Sequence, residues 1–490
     1  MPDRKYGRGT RWRGGAPRRT GDRMGMDGSY VAGAAGEDAA ASTHPLAYVR
    51  RRHGWSYQDV ARVIAEHARA LGVPMAARRE KVWRWEHWGV VPEADSQRAL
   101  ARALGIPPKE LETHPWPRWL PAHGGMPDGL PWTREGGLNA LGSLVADGGS
   151  DPRGFPIADE RTLLEAIADW DAAAAEAAPT GPPPGGPVLA DASTRHAVER
   201  TPVYGDGPAV VDDTVLAWLE SGVLGLRQVD DRLGGGAVWH RVTADLRLVL
   251  RLLSCGTQPR AVQARLLRVA ADLAQLGGWA ATDTGRNSAA QRHYLTGLRL
   301  AHTAGDRGMA VALWGGLALQ EVIAGRPRDA VAAAEAAVRA AGGAPPVVRA
   351  LAASRLGRAH AALGAEGAFR RAAAEAERRL AAAAADPGPA WLYWFDAAEL
   401  AAQTGQSLLD LGRAQEAVPL LEQALAAQDP AFLRDRSLYS ARAAEARALV
   451  GDIDGARALG REAAGFSRQC GSPRLAAALD ALKPHLDLRG

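Results

Sequence analysis

Apolar positions along this chain fall into two textures. From Pro45 they come in short bursts of helical period, each cut off by Gly or Pro, whereas from about Val211 onward they recur at helical spacing almost without a break. Pro45 to Arg52 reads as a first helix ended by Gly54, and Ser56 caps a second that runs through Tyr57, Val60, Ala61 and Ile64 to about Leu71. Gly72, Val73 and Pro74 break it, a helix over Arg78 to Glu86 comes next, and Asp95 to Leu104 and Pro108 to Glu112 supply two closing helices. At 3.6 residues per turn, Arg78, Val82 and Trp85 share one face of the third helix, while Glu80, Trp83, Arg84 and His87 point the other way. A short helix with one anchored side and one charged side, placed after another short helix, is the arrangement that enters the major groove of DNA in helix-turn-helix proteins.

The second texture repeats. Gly285, Gly325, Gly364, Gly412 and Gly451 each mark a turn, at spacings of 40, 39, 48 and 39 residues. A small residue lies seven positions before each turn, at Gly278, Ala318, Gly357, Gly405 and Ala444. An alanine opens the next helix at Ala290, Ala330, Ala417 and Ala456, with Ala368 one position early, and twelve residues past the turns lie Gly297, Ala337, Ala376, Ala424 and Ala463. Small residues at such points let paired helices approach closely, which predicts an α-solenoid over 211–490. Between the two textures, residues 114–210 read as a Pro/Gly-rich connector with short helices around Glu135 to Ala146 and Asp159 to Ala178, and Trp116, Trp119 and Trp132 are expected to clamp it onto one of the domains. Residues 1–43 have no apolar period and read as a disordered basic tail; Met24 and Met26 are alternative starts. The fold class expected is therefore all-α: a five-helix domain over 44–113, a flexible connector, and the repeat region.

Charge sharpens this division. Residues 1–120 carry 21 Lys or Arg against 13 Asp or Glu, while the other 370 carry 38 against 42. A basic front joined to a mildly acidic body suits a nucleic-acid partner at the front. All but four of the 59 basic residues are Arg, which, with the abundance of Ala, is also what a GC-rich genome produces. Cys255 and Cys470 are too few for a disulfide framework or a metal cage and fit a reducing cytosol. With no apolar run in the first residues and none of 18 residues elsewhere, neither a signal peptide nor a membrane span is expected, and the location read is cytoplasmic.

Catalytic patterns are not found. Lys5, Lys81, Lys109 and Lys483 include none in a phosphate-binding loop, and the chain holds no His-Glu-x-x-His, Cys-x-x-Cys or Gly-x-Ser-x-Gly. His293 and His360 read as packed or solvated helix residues. No enzyme activity, cofactor or metal is expected.

The stretches "HPLAYVRRRHGWSYQDVARVI" and "REKVWRWEHWGVVPEADSQRALARALGIPPKEL" together resemble the phage-repressor-like, or XRE-type, helix-turn-helix family. The resemblance rests on Gly54-Trp55-Ser56, Ala61, Val82, Trp85-Glu86, Pro92 and Leu100 through Leu104-Gly105, and covers residues 44–113. It departs from the family in a long second helix and in lacking a Ser or Thr cap before the third. The resemblance implies DNA base contacts from Arg78, Arg79, Glu80, Lys81, Trp83 and Arg84, and phosphate contacts from Arg50, Ser56, Tyr57 and His87. It also implies an ion pair between Arg50 and Glu86 beneath the third helix. The repeats, with "AQLGGWAATDTGRNSAAQRHYLTGLRLA" and "LLDLGRAQEAVPLLEQALA" as the clearest units, resemble tetratricopeptide (TPR) repeats, a HEAT-like solenoid being the alternative. The combined order, with "VLGLRQVDDRLGGG" before the repeats, resembles actinobacterial regulators of development and secondary metabolism.

Two functions are expected. The first is a sequence-specific transcriptional regulator that binds double-stranded DNA, with repeats that form a homodimer or take a peptide or protein effector. The second is a TPR scaffold whose front domain has a vestigial or repurposed role.

Overall fold

A computed structural model of the chain describes residues 44–104, 106, 108–113, 116–117, 119–120, 130–146, 160–176, 211–254, 258–385, 388–467 and 472–486. The expected basic tail, the Pro-rich run at 179–187 and both cysteines lie outside these residues. Among the described residues the fold is all-α, without a strand.

Five short helices come first: α1 (Pro45–Arg52), α2 (Tyr57–Ala70), α3 (Arg79–His87), α4 (Ala94–Ala103) and α5 (Pro108–Thr113). Ser56 starts α2 with a reciprocal cap, its hydroxyl accepting from Asp59 N while the Asp59 carboxylate accepts from Ser56 N at 2.9 Å. Gly54, Gly72 and Gly89 come after α1, α2 and α3 at φ of 65°, 79° and 64°, backbone that disfavours any side chain. The helices close over one core in which Leu46, Val49, Val60, Ile64, Val82, Trp85 and Leu100 are buried. Trp119 and Leu120, beyond α5, complete it, and the Trp119 indole donates to Gln97 Oε1 at 3.0 Å.

The expected connector divides between two cores. Its first residues join the core of α1–α5, but α6 (Arg134–Ala146) and α7 (Glu160–Glu176) pack on the repeat region. Arg134 donates to Leu253 O at 3.0 Å, Arg247 to Val145 O at 3.1 Å, and Trp170 meets Trp314 edge-on at 5.9 Å. Trp132 packs under the Arg299 guanidinium at 4.5 Å. The clamp by tryptophans is thus shared, with Trp116 and Trp119 on one core and Trp132 on the other. The Pro- and Gly-rich runs around these segments read as connector, yet Leu141, Leu163, Ile167 and Trp170 are buried there.

A helical pair, α8 (Asp213–Leu233) and α9 (Gly235–Ser254), precedes five hairpins. These are α10 (Arg260–Asp283) with α11 (Asn287–Thr303), α12 (Arg307–Ile323) with α13 (Pro327–Ala340), α14 (Pro346–Ala362) with α15 (Glu366–Ala381), α16 (Ala397–Asp410) with α17 (Ala414–Ala427), and α18 (Leu433–Leu449) with α19 (Ile453–Ser467). Each hairpin turns at one of the five glycines, all at φ between 73° and 90°. The small residues sit where helices pack most closely: Ala290, Ala330, Ala417 and Ala456 have no exposed surface. A Cβ on Gly278 would sit 2.6 Å from the Tyr294 ring, and one on Gly297 2.5 Å from Leu313. The spacing of 48 holds an insertion, two short 3₁₀ turns at Ala382–Ala385 and Ala390–Leu392. A last helix, α20 (Pro473–Leu486), covers α18 and α19. No helix among the described residues is long and apolar enough to cross a membrane.

Candidate nucleic-acid interface

The α3 helix is held on its inner face and free on its outer one. Val82 and Trp85 are buried in the core, and Glu86 beside them is all but inaccessible. Its carboxylate accepts two bonds from Arg50, from Nε at 2.9 Å and Nη2 at 3.2 Å, while Nη1 donates to Trp55 O at 3.3 Å. The guanidinium also lies 4.1 Å from the centre of the Tyr57 ring. Every nitrogen of Arg50 is therefore engaged within the protein. Arg50 anchors α3 through the ion pair expected with Glu86. Burial, reinforced by the Glu86 charge, holds the Tyr57 hydroxyl above its ordinary pKa, so it stays a neutral hydrogen-bonding group.

The remaining candidates emerge on one side. Arg78 is not in the helix but caps it, at φ −107° and ψ 106° with no side-chain cap bond, so it sits exposed at the helix start rather than on the anchored face. Arg79, Glu80 and Arg84 are exposed on the outer face. Glu80 accepts from Arg79 Nε at 3.3 Å, and its carboxyl lies below the usual range, first through its own backbone N–H and then through Arg79. Arg84 has no ion-pair partner among the described residues. Lys81 is drawn instead toward Glu93, at 3.3 Å. Trp83 stacks on His87 with ring centres 4.6 Å apart and meets Trp88 edge-on at 5.2 Å. His87 Nδ1 lies 2.9 Å from Trp83 O, which fixes that ring against its own helix. Sequence reasoning missed Trp88, which is 66% exposed and extends this aromatic edge; its place one residue past the helix hid it. Ser56 is exposed at the start of α2, and its hydroxyl is shared with Asp59 at 2.6 Å.

A second feature lies within the hairpins. The first helix of each hairpin, together with α8, lines a partly closed cavity of about 80 Å³. A buried ionic network closes one side. Arg434 of α18 donates to Asp230 of α8 at 2.5 Å and to Asp435 at 3.1 Å, and Asp230 also accepts from the Trp279 indole at 3.0 Å. Asp283 accepts from Ser472 at 2.8 Å and from Gly235 N at 3.1 Å, tying α9 and α20 to the end of α10. Burial raises the carboxyl of Asp230, and that of Asp231 to about 7. The insertion in the long repeat adds Trp391, Tyr393 and Trp394 to the lining, and the Tyr393 hydroxyl donates to Asp231. In α12, Gly315 and Gly316 make room for neighbouring side chains: a Cβ would stand 3.1 Å from Arg355 Cγ on one and 2.7 Å from the ring of the core residue Tyr294 on the other. Two mid-helix glycines cost about 1 kcal/mol each in helix propensity, so the space they leave is held against a local penalty.

Compared with known proteins, the chain matches no family model and no curated protein.

Proposed function

We propose that the chain is a sequence-specific DNA-binding transcriptional regulator of the XRE-type helix-turn-helix kind. In this reading α2 and α3 form the helix-turn-helix pair and α3 enters the major groove. The five hairpins act as a TPR-like unit that dimerises the protein or takes a peptide or protein effector. One observation carries the proposal: a nine-residue helix pinned from beneath by Val82, Trp85 and the Arg50–Glu86 pair, with Arg78, Arg79, Glu80 and Arg84 left facing outward. An arginine reads guanine through paired donors and a glutamate accepts from cytosine, so this outer face has the chemistry of base-edge recognition. Ser56 and Tyr57, at the start of α2, supply hydroxyls of the kind that meet phosphate oxygens.

The proposal is tested by selecting bound fragments from a random duplex library with the full-length protein, then measuring affinity for the selected sequence and for a scrambled one. A regulator of this kind enriches one motif and prefers it by at least about 10³-fold. Enrichment of no motif, with weak binding that disappears in moderate salt, would favour the scaffold reading.

A further inference from the structure

The cavity inside the hairpins contains a cation that no described residue pairs. Arg355, on α14, is 7% exposed and has no carboxylate within salt-bridge distance among the described residues. Its Nη1 is buried without a hydrogen-bond partner. The other arginines on the lining differ in this respect: Arg434 has Asp230 and Asp435, Arg227 has Asp272, and Arg474 has Asp283 and Asp435 within 3.6 Å. Glu399, which also lines the cavity, is already engaged, accepting from Tyr439 at 2.6 Å and from Gln403 at 2.8 Å. Burial pulls the Arg355 guanidinium below its ordinary pKa, outweighing the charge of Glu399, which acts on it without an ion pair.

The wall beside Arg355 is aromatic. Trp394 lies with its ring centre 5.5 Å from the guanidinium carbon, and Trp391 lines the same side. Leu276, Leu319 and Leu351 add apolar surface. A buried unpaired charge is costly unless a ligand supplies the opposite one. Half of the lining is charged or amide side chains and the rest is aromatic, aliphatic or small, so flat apolar surface stands beside the ionic groups.

We propose that this cavity binds a small molecule with a flat apolar body and one carboxylate, the carboxylate meeting the Arg355 fork and the flat body lying against Trp394. The acid is monoanionic because only one lining cation is unpaired and Asp230, Asp231, Glu399 and Asp435 share the lining; a phosphate dianion would face them with a second charge. The inference goes beyond the regulator reading and stands without it, since the site requires no DNA.

The test is calorimetric titration of the full-length protein with benzoate, 1-naphthoate and indole-3-acetate, each beside its neutral amide. At least one acid binds with Kd under about 1 mM, and its amide binds at least ~10-fold more weakly. Arg355→Met lowers affinity for that acid at least ~10-fold, leaves the amide unchanged, and keeps or raises the melting temperature, because it removes an unpaired buried charge. Should Arg355→Met not fold, Trp394→Leu serves in its place and weakens acid and amide alike, with the acid–amide difference in the unmodified protein still reporting Arg355. Binding by none of the three acids, equal binding of acid and amide, or unchanged acid affinity in Arg355→Met overturns the proposal.

Discussion

Arg50 and Glu86, 36 residues apart in sequence, meet beneath α3 in a two-pronged ion pair whose acid is buried and whose base keeps a narrow opening to water. The two ends are therefore not equivalent. Removing Arg50 strands a carboxylate with 1% exposure, whereas removing Glu86 leaves a guanidinium that is 15% exposed, still bonded to Trp55 O and stacked on Tyr57. Arg50→Met is expected to destabilise the α1–α5 region by about 3 kcal/mol, more than Glu86→Gln, and the double variant to recover part of that loss. Hydrogen exchange of α3 amides in the full-length protein measures all three, and additive effects would show that the pair is not coupled.

Arg79 and Arg84 carry the next prediction. Both are exposed and touch nothing in the core, so Arg79→Ala and Arg84→Ala should leave melting unchanged while weakening binding to the selected DNA sequence by about 1 to 3 kcal/mol each. A base-reading role predicts a smaller loss on scrambled DNA. Equal losses on both would mean that the two arginines touch only phosphate.

How much of this was legible in the sequence depends on distance along the chain. Helix ends were readable because a local device sets them: Gly54, the Ser56 cap and the five hairpin glycines all sit where the pattern puts them, and α1 spans Pro45–Arg52 as expected. Arg78 falls one position outside the helix expected for it, because without a side-chain cap nothing in the sequence marks where α3 begins. The allegiance of α6 and α7 was hidden, since an amphipathic helix states that it has a buried face and not which core covers it. The cavity was hidden for a stronger reason. Asp230 and Arg434 are 204 residues apart, and no local pattern announces that such residues meet. The one available clue was the repeat spacing of 48, whose surplus residues bring Trp391 and Trp394 to the wall.

The repeat pattern also predicts opposite outcomes at equivalent places. Gly278 and Gly357 both lie seven residues before a hairpin glycine, but an added Cβ would strike the Tyr294 ring at 2.6 Å on the first and make ordinary 3.7 Å contact with Ala372 on the second. Gly278→Ala should therefore destabilise by about 1 to 3 kcal/mol through overpacking, and Gly357→Ala should stabilise by about 0.5 to 1 kcal/mol through helix propensity. Thermal unfolding of the two variants decides, and the same sign in both would contradict the packing described.

Whether the hairpins serve DNA binding is answered by shortening the chain, and the fold dictates where to cut. Ending near Thr201 would leave α6 and α7 without the core they cover. Ending near Gly129 keeps Trp119 and Leu120 with α1–α5 and strands nothing. If the hairpins dimerise the protein, this short form sediments as a monomer and binds the selected DNA sequence at least ~10²-fold more weakly than the full chain, because it loses the second half-site. Matching mass behaviour and affinity would remove the hairpins from DNA recognition.

The last prediction concerns acid, and rests on His293. Its ring is 4% exposed, packs edge-on to Trp239 at 5.3 Å, and leaves so little room beside α10 that a Cβ on Gly277 would stand 2.4 Å from its Nδ1. Burial, and then the charge of Arg292, depress its pKa to about 3, so the folded protein keeps the ring neutral. The unfolded chain takes up that proton near 6.5, so the unfolded state binds more protons below this value. Stability from this group is fully present above about pH 6.5 and is lost as pH falls toward 3, by at most about 1.4 kcal/mol per pH unit. Asp231 and Glu321 oppose it. Burial raises each of them to about 7, so the folded state binds their protons first and they add stability as pH falls from 7 toward the ordinary carboxyl range. The histidine contribution is therefore separated by difference. Subtracting the stability of His293→Gln from that of the unmodified protein cancels the two acids, and the difference should be constant above pH 7 and decline steadily between pH 6.5 and 5. A flat difference over that interval would mean that the folded protein accepts a proton on His293, and so that the ring is not shut away between Trp239 and Gly277.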